Sequence, residues 1–339
     1  MSDPVRFGLV GYGFGARWFH APLIASADEC ELVAVATRSA ERRALVNGEH
    51  PGATVVDDLA GLKAAGVEAV TISTPADTHI PLCQEALELG LAVVVDKPFA
   101  LTAADARSAV DLAEQLGVLL SVYQNRRWDS DFLTVRALVD DGTLGRITRF
   151  ESRFERRQEG PPASGGGTLL DFGSHLVDQA LQLLGPVRSV YAEVDGQAPA
   201  DDDVFVALTH ADGARSHLWG SWVQSGPGPR FRVTGTRATY VVGGMDIQEE
   251  LLVAGRTPAS EGEGWGAEPP DRWGQVHDGA GAATRPTDRG HWDAYYRAFA
   301  AAVRGTGPVP VDPRDAVATA EVLDAARTSA ERRELVTLL

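Results

Sequence analysis

The sequence predicts an α/β domain built on a doubly wound parallel sheet, followed by an α+β domain built on a large, mostly antiparallel open sheet. Three observations carry this expectation. An apolar run at Val5–Val10 leads directly into the small-residue turn Gly11-Tyr12-Gly13-Phe14-Gly15-Ala16. Strand-like and helix-like segments then alternate as far as about Tyr123. Beyond Val187 the pattern changes to successive short strands joined by turns such as Ala211-Asp212-Gly213-Ala214. The expected domains are residues 1–123 and 124–339, with a C-terminal helix over about 313–326 that can pack back on the first domain.

Composition narrows the functional classes. A chain of 339 residues can bury two cores, and 44% apolar with 23% charged residues is ordinary for a globular enzyme. The net charge of -16 repels nucleic-acid phosphates and anionic membrane surfaces, so neither is an expected partner. Two cysteines, Cys30 and Cys83, make no disulfide framework. The N-terminal MSDPVRFG lacks a basic, apolar leader and no stretch reaches transmembrane length, so the cytoplasm is the expected location.

In chain order, parallel strands are predicted at Val5–Val10, Glu31–Ala36, Thr54–Val56, Ala69–Ser73, Ala92–Val95 and Val118–Val122, with helical spacing at Pro81–Leu89 and Ala103–Leu116. The first turn reads G-x-G-x-x-A, a dinucleotide fingerprint: Gly11 allows the tight turn, Gly13 lets backbone approach a pyrophosphate, and Ala16 lets the helix pack on the strand. Phe14 and Gly15 belong to the same turn and are counted among its cofactor contacts. The helix that follows points its N–H groups and positive dipole end at the phosphates.

The end of the second strand selects between cofactors. It reads Thr37-Arg38-Ser39 and lacks the carboxylate that would bind an adenosine ribose 2′-OH. Arg38 and Ser39 could hold a 2′-phosphate, which favours NADP over NAD; equally, Ser39 could cap the next helix and Arg38 be solvated. The loop after the fourth strand, with Thr74, Pro75 and His79, lies where ligands bind in such sheets; Asp77 or Thr78 could simply cap a helix there. Asp96-Lys97-Pro98 follows the fifth strand. A lysine at the carboxyl end of a strand buried on both faces points into the crevice, where it can hydrogen-bond a substrate oxygen.

In the second half, Gln124–Trp128 crosses between the domains, Asp131–Asp140 is amphipathic, and Ile147–Arg157 alternates as a strand with one wet face. Gly160–Gly167 is a Gly/Pro-rich lid candidate. Thr168–Leu184 is an amphipathic helix in which Asp171 and His175, four apart, share a face; the Asp can orient the imidazole and stabilise its cation. These two alone would make an incomplete metal site and no His/Cys cluster supplements them, so no metal is expected. Antiparallel strands are predicted at Val204–His210, Ala214–Val223, Phe231–Thr236, Thr239–Val242 and Ile247–Val253, Ala254–Gly290 as an irregular insertion, and Trp292–Val303 and Pro313–Ala326 as helices. The open sheet, with Trp219 and Trp222 as candidates for its exposed face, needs a partner, so a homodimer or homotetramer is expected.

Taken together, the glycine turn, Asp-Lys-Pro, the Gly-rich loop into Asp-x-x-x-His and the strand-rich second half resemble the Gfo/Idh/MocA oxidoreductases. The resemblance covers nearly the whole chain and is carried by GYGFGARWFHAPLI, DKPFALT, YQNRRWDSDF and GGGTLLDFGSHLVDQALQLLG. It implies an N-terminal Rossmann domain and NAD(P)-dependent hydride transfer on sugars, polyols or inositols. The family's catalytic Lys falls on Lys97, and its helix Asp and His on Asp171 and His175. Asp96 stands where the family more often has Glu, which keeps the charge but shortens the reach. Asn125, Arg127 and Arg153 are added for recognising substrate hydroxyls. The family also contains NAD-dependent redox glycosidases and non-catalytic nucleotide-binding regulators; the presence of Lys97, Asp171 and His175 argues against a regulator.

Overall fold

The computed structural model describes residues 3–157, 166–197 and 200–338, which fall into two compact units. The first unit comprises Met1–Asn125, Gln248–Trp265 and His291–Val317; the second comprises Arg126–Ile247, Gly266–Gly290 and Ala318–Leu339.

The first unit is built on strands β1 (Val5–Val10), β2 (Cys30–Ala36), β3 (Thr54–Val56), β4 (Ala69–Ile72), β5 (Ala92–Val95) and β6 (Leu120–Val122). All pairings are parallel and the order is β3-β2-β1-β4-β5-β6. The helices between them are α1 (Ala21–Ala25), α2 (Ala40–Glu49), α3 (Leu59–Ala64), α4 (His79–Glu88) and α5 (Ala103–Leu116). β4 and β5 are buried at every residue, as strands covered on both faces must be. Local chemistry starts the helices: Ser39, Asp58 and Thr102 each accept a backbone N–H of the turn they open. The strand order reverses between β1 and β4, which opens a crevice at their carboxyl ends. The helix Asp293–Val303 closes the core of this unit, with the Tyr296 ring edge-on to Phe7 at 5.5 Å.

The second unit carries strands β7 (Ile147–Glu155), β8 (Val187–Gln197), β9 (Ala200–His210), β10 (Arg215–Ser221), β11 (Phe231–Gly235), β12 (Thr239–Val242), β13 (Gly274–His277), β14 (Ala282–Arg285) and β15 (Val336–Thr337). They form one nine-stranded sheet, β14-β13-β12-β11-β7-β10-β9-β8-β15, antiparallel everywhere except between β7 and β10. Helices α6 (Ser130–Asp140) and α7 (Gly167–Leu184) belong to this unit. One face of the sheet packs on α7, where the Phe154 and Phe172 rings stack at 3.9 Å.

Three sequence expectations change. Ile247–Val253 is not a strand: Gln248–Val253 is helical and buries Leu251 and Leu252. The adjacent Glu249-Glu250 pair already breaks a period of two. Ala254–Gly290 is not irregular throughout, because β13 and β14 lie within it and extend the sheet past β12. Trp222 does not join Trp219 on the outer face. Three positions apart on an extended chain, the two point to opposite sides, and Trp222 packs on Phe172 of α7 at 4.4 Å. Residues 160–165 of the expected lid lie outside the described residues.

Candidate active site

The glycine turn sits at the crevice between β1 and β4. Gly11 has φ +89°, and a Cβ there would stand 2.5 Å from the Ser73 carbonyl oxygen, so this position tolerates only glycine. Gly13 is open: the nearest atom to a Cβ on it is Arg42 Nη2, 3.9 Å away. Phe14 is 60% exposed. The helix that follows has a wide π turn over Ala16–His20, in which Ala21 N–H bonds Ala16 O. Pro22, next in line, has no N–H to continue an α pattern. Ala16 is fully buried. A bare turn at φ > 0, open backbone at Gly13 and a helix start facing the crevice fit the phosphates of a dinucleotide.

At the end of β2, Thr37 is buried and its Oγ1 accepts the Ser39 N–H at 3.4 Å. Ser39 is the cap of α2, accepting Arg42 N–H at 3.4 Å. Arg43 pairs with Asp57. Arg38 and Arg42 are exposed, so the positive charge available in this stretch lies on these two side chains.

Two loops flank the crevice beyond β4 and β5. Thr74 is half-buried and Pro75 exposed. His79, grouped with the cofactor contacts by the sequence, is 1% exposed and sets its Nδ1 2.8 Å from Pro98 O and its Nε2 2.9 Å from Thr74 O. Both ring nitrogens are thereby committed to backbone, and His79 braces the two loops instead of facing a ligand. Asp96 is likewise turned inward: its carboxylate accepts from Ser73 Oγ (2.9 Å) and Lys97 N (2.8 Å) and lies 3.2 Å from His20 Nε2. Lys97 is half-buried at the end of β5, and Pro98 is buried.

In the second unit α7 carries Asp171, half-buried, and His175, 3% exposed, one turn apart on one face. The His175 ring lies 6.2 Å from Phe154 of β7 at an interplanar angle of 28°. The helix is anchored at two levels. At its start Gly166 has no side chain to cap with, and Asp201 of β9 substitutes: its Oδ2 accepts Leu169 N–H at 2.7 Å and its carbonyl accepts the Thr168 hydroxyl at 2.6 Å. Gly167 has φ +73° and leaves no room for a Cβ against that carboxylate. Further along, Asp178 receives both Nε (2.8 Å) and Nη2 (2.6 Å) of Arg127, and Gln179 bridges Arg126 O and Arg230.

These contacts reassign two expected substrate residues. Arg127 is 7% exposed and its guanidinium is spent on Asp178, so it fixes α7. Arg153 lies on the face of the sheet opposite α7, because its neighbours Ser152 and Phe154 are the buried ones; its guanidinium stacks on Trp219 at 3.8 Å. Asn125 is buried at 6% exposure at the end of the first unit's leading segment. Sequence reasoning missed Asp201 and His20, and placed Ser73 only within the loop expected to line the cofactor. Asp201 caps a helix that starts at Gly167, 34 residues before it, and leaves no local signature. His20 stood in a quoted stretch, but nothing in its neighbours shows that it meets Asp96. Among the described residues no group of three His, Cys, Asp or Glu could hold a metal ion, and no helix is long and apolar enough to cross a membrane.

A parallel sheet with this turn at its switch point defines a dinucleotide-binding oxidoreductase fold, and comparison with known proteins agrees. Residues 5–124 match the oxidoreductase family NAD-binding Rossmann fold, and residues 132–241 match the GFO/IDH/MocA C-terminal domain. The chain belongs to the Gfo/Idh/MocA family of oxidoreductases. It is 38% identical to the uncharacterized oxidoreductase YdgJ of Escherichia coli (strain K12) over 100% of both chains. It is 31% identical to the scyllo-inositol 2-dehydrogenase (NADP(+)) IolW of Bacillus subtilis (strain 168), over 99% of this chain and 96% of that one. The solved structure of yvaA from Bacillus subtilis superposes with a TM-score of 0.92 at 32% identity, covering 99% of each chain.

Proposed function

We propose that this oxidoreductase moves a hydride between a nicotinamide and a carbinol carbon of a sugar, polyol or inositol, with NADP(H) preferred. The observation that carries the reading is that one chain holds both a lysine at the end of β5, Lys97, and Asp171 and His175 one turn apart on α7, and is similar along almost its full length to a relative named for scyllo-inositol and NADP(+). The nicotinamide, when bound, supplies the hydride acceptor or donor. His175 takes the hydroxyl proton during oxidation and returns it during reduction. Asp171, one turn back, orients the imidazole. Lys97 hydrogen-bonds the same oxygen and stabilises its alkoxide character. Gly11, Gly13, Phe14, Gly15 and Ala16 form the phosphate turn, and Thr74 and Pro75 line the cofactor.

A panel of sugars, polyols and inositols with both cofactors, followed by reduced-nicotinamide absorbance, tests the activity. His175→Ala and Lys97→Ala should each lose roughly 10²–10⁴-fold in kcat, with cofactor affinity nearly intact. Asp171→Asn should lose less, and the losses should not add, because the groups serve one proton. A His175→Ala enzyme with full activity on its best substrate would remove this mechanism. Release of free sugar from a glycoside without consumption of added cofactor would point to the redox glycosidase chemistry instead.

A further inference from the structure

We propose that His20 is a positioning residue for Lys97, acting through the carboxylate of Asp96. This rests on the role given to Lys97 above, and every contact it uses lies within the first unit. Asp96 holds the end of β5 to three other pieces of chain. Its Oδ1 accepts the Lys97 N–H at 2.8 Å, its Oδ2 accepts the Ser73 hydroxyl from the end of β4 at 2.9 Å, and Oδ2 lies 3.2 Å from His20 Nε2. The glycine turn rests on the same group: a Cβ on Gly15 would stand 3.0 Å from Asp96 Oδ2 and 2.8 Å from Ser73 Oγ.

His20 is fully buried and held from behind. Its Nδ1 is 2.6 Å from Tyr296 Oη, which is 3.2 Å from Thr71 Oγ1, and its ring lies 4.3 Å from that of Tyr123. Nε2 lies 3.2 Å from the Asp96 carboxylate, within ion-pair reach but not aligned as a hydrogen bond. Burial drives the Tyr296 hydroxyl well above its ordinary range, so it stays protonated 2.6 Å from Nδ1. Thr71, Tyr296, His20 and Asp96 thus form one contiguous buried polar row, each within 3.2 Å of the next. Burial alone would raise the Asp96 carboxyl, but His20, Lys97 and His79 outweigh it and hold the group well below the usual carboxylate range. The carboxylate one residue from Lys97 is thereby favoured in its charged form. Lys97 is one of the charges that act on Asp96, so loss of the His20 contact would leave the carboxylate to draw more strongly on the Lys97 amine, away from a substrate oxygen.

The test uses two isosteric halves of the imidazole in the full chain. His20→Gln places an amide N–H where Nε2 was, facing Asp96; His20→Asn reaches only toward Tyr296. The chain has two lysines, Lys63 and Lys97, and Lys63 is exposed on α3, so it serves as an internal reference. Trace acetylation followed by peptide mass spectrometry reads the Lys97-to-Lys63 labelling ratio without any turnover. His20→Asn should lower kcat by about 10–100-fold while leaving substrate KM and cofactor Kd nearly unchanged. It should also change the labelling ratio by more than about twofold. His20→Gln should restore both. Equal losses in the two variants, wild-type behaviour in both, or a fall in kcat with lowered thermal stability and an unchanged labelling ratio would each overturn the proposal. Should His20→Asn fail to fold, Tyr296→Phe removes a single hydroxyl behind Nδ1; a wild-type labelling ratio in that variant counts against the proposal in the same way. If the wild-type enzyme turns over no member of the panel, the proposed activity fails, and the labelling ratio still decides the role of His20.

Discussion

Replacing Asp201 by Ala tests how α7, which carries Asp171 and His175, is held. The substitution removes the Oδ2 that accepts Leu169 N–H at 2.7 Å and keeps the carbonyl that accepts the Thr168 hydroxyl at 2.6 Å. Loss of an N-cap acceptor costs about 1–2 kcal/mol, and an anion at a helix start adds up to about 1 kcal/mol. An opposing effect is present. Burial pushes the Asp201 carboxyl above its ordinary value, and the Leu169 N–H draws it only partly back, so its charge is held at a cost. The net effect of Asp201→Ala is therefore about 1 kcal/mol of local stability, or roughly 5–10-fold faster amide exchange in the first turn of α7. Asp171 lies in the turn that frays and His175 one turn deeper, so kcat should fall by only a few-fold. Asp201→Asn keeps an acceptor without the charge and should match the wild type. Hydrogen exchange on peptides spanning residues 166–175 reads this directly. Unchanged exchange in Asp201→Ala, or an Asn variant as damaged as the Ala variant, would refute the capping argument.

Further outcomes are expected. Cofactor choice should favour NADP in kcat/KM, and Arg38→Ala should weaken NADP binding much more than NAD binding; a value at least about tenfold higher with NAD would sink this. The sheet face opposite α7 carries the aromatic group Phe205, His217 and Trp219, with Phe205 and Trp219 5.2 Å apart, and is expected to pair in a homodimer or dimer of dimers. Light scattering at micromolar concentration that shows only a 36.0 kDa species would exclude it. Glu268 should make stability depend on pH. Burial raises its carboxyl to about 7, against the pull of Arg272, while its Oε1 accepts from Ser130 Oγ and Ile247 N. A folded-state value above the unfolded one stabilises at low pH and is lost as pH rises through about 7. Between about pH 5 and 8 the wild type should therefore lose about 1–2 kcal/mol relative to Glu268→Gln, the figure being reduced for partial solvent screening. Parallel denaturation curves for the two proteins would contradict this.

The site was legible wherever its chemistry is local. The glycine turn shows in the spacing of Gly11, Gly13 and Ala16 because each constraint acts on backbone within one turn, and the φ of +89° at Gly11 is the conformation that the first glycine was read to serve. Asp171 and His175 share a face because helical periodicity alone puts residues four apart together. Both sheets were legible in outline for the same reason: continuous apolar runs mark strands buried on both faces, and alternation marks strands with one open face. Ile247–Val253 was not legible because a short apolar run fits strand and helix alike, and only the adjacent Glu249-Glu250 pair argues against a period of two.

What the sequence determined by itself was the class of most elements, the dinucleotide turn, the family, and the placement of Lys97 at a strand end and of Asp171 and His175 on one helix face. What only the tertiary structure decided was which polar side chains are already spent inside the protein. Arg127 is consumed by Asp178, His79 by two carbonyls and Asp96 by His20 and Ser73, while Arg153 points to the other face of its sheet. The partners of these groups lie between 19 and 76 residues away along the chain for all but Thr74, and no local pattern encodes them. A buried polar group takes whichever partner folding brings within about 3 Å. The sequence names the donors and acceptors, and the packing of distant segments selects the pairs.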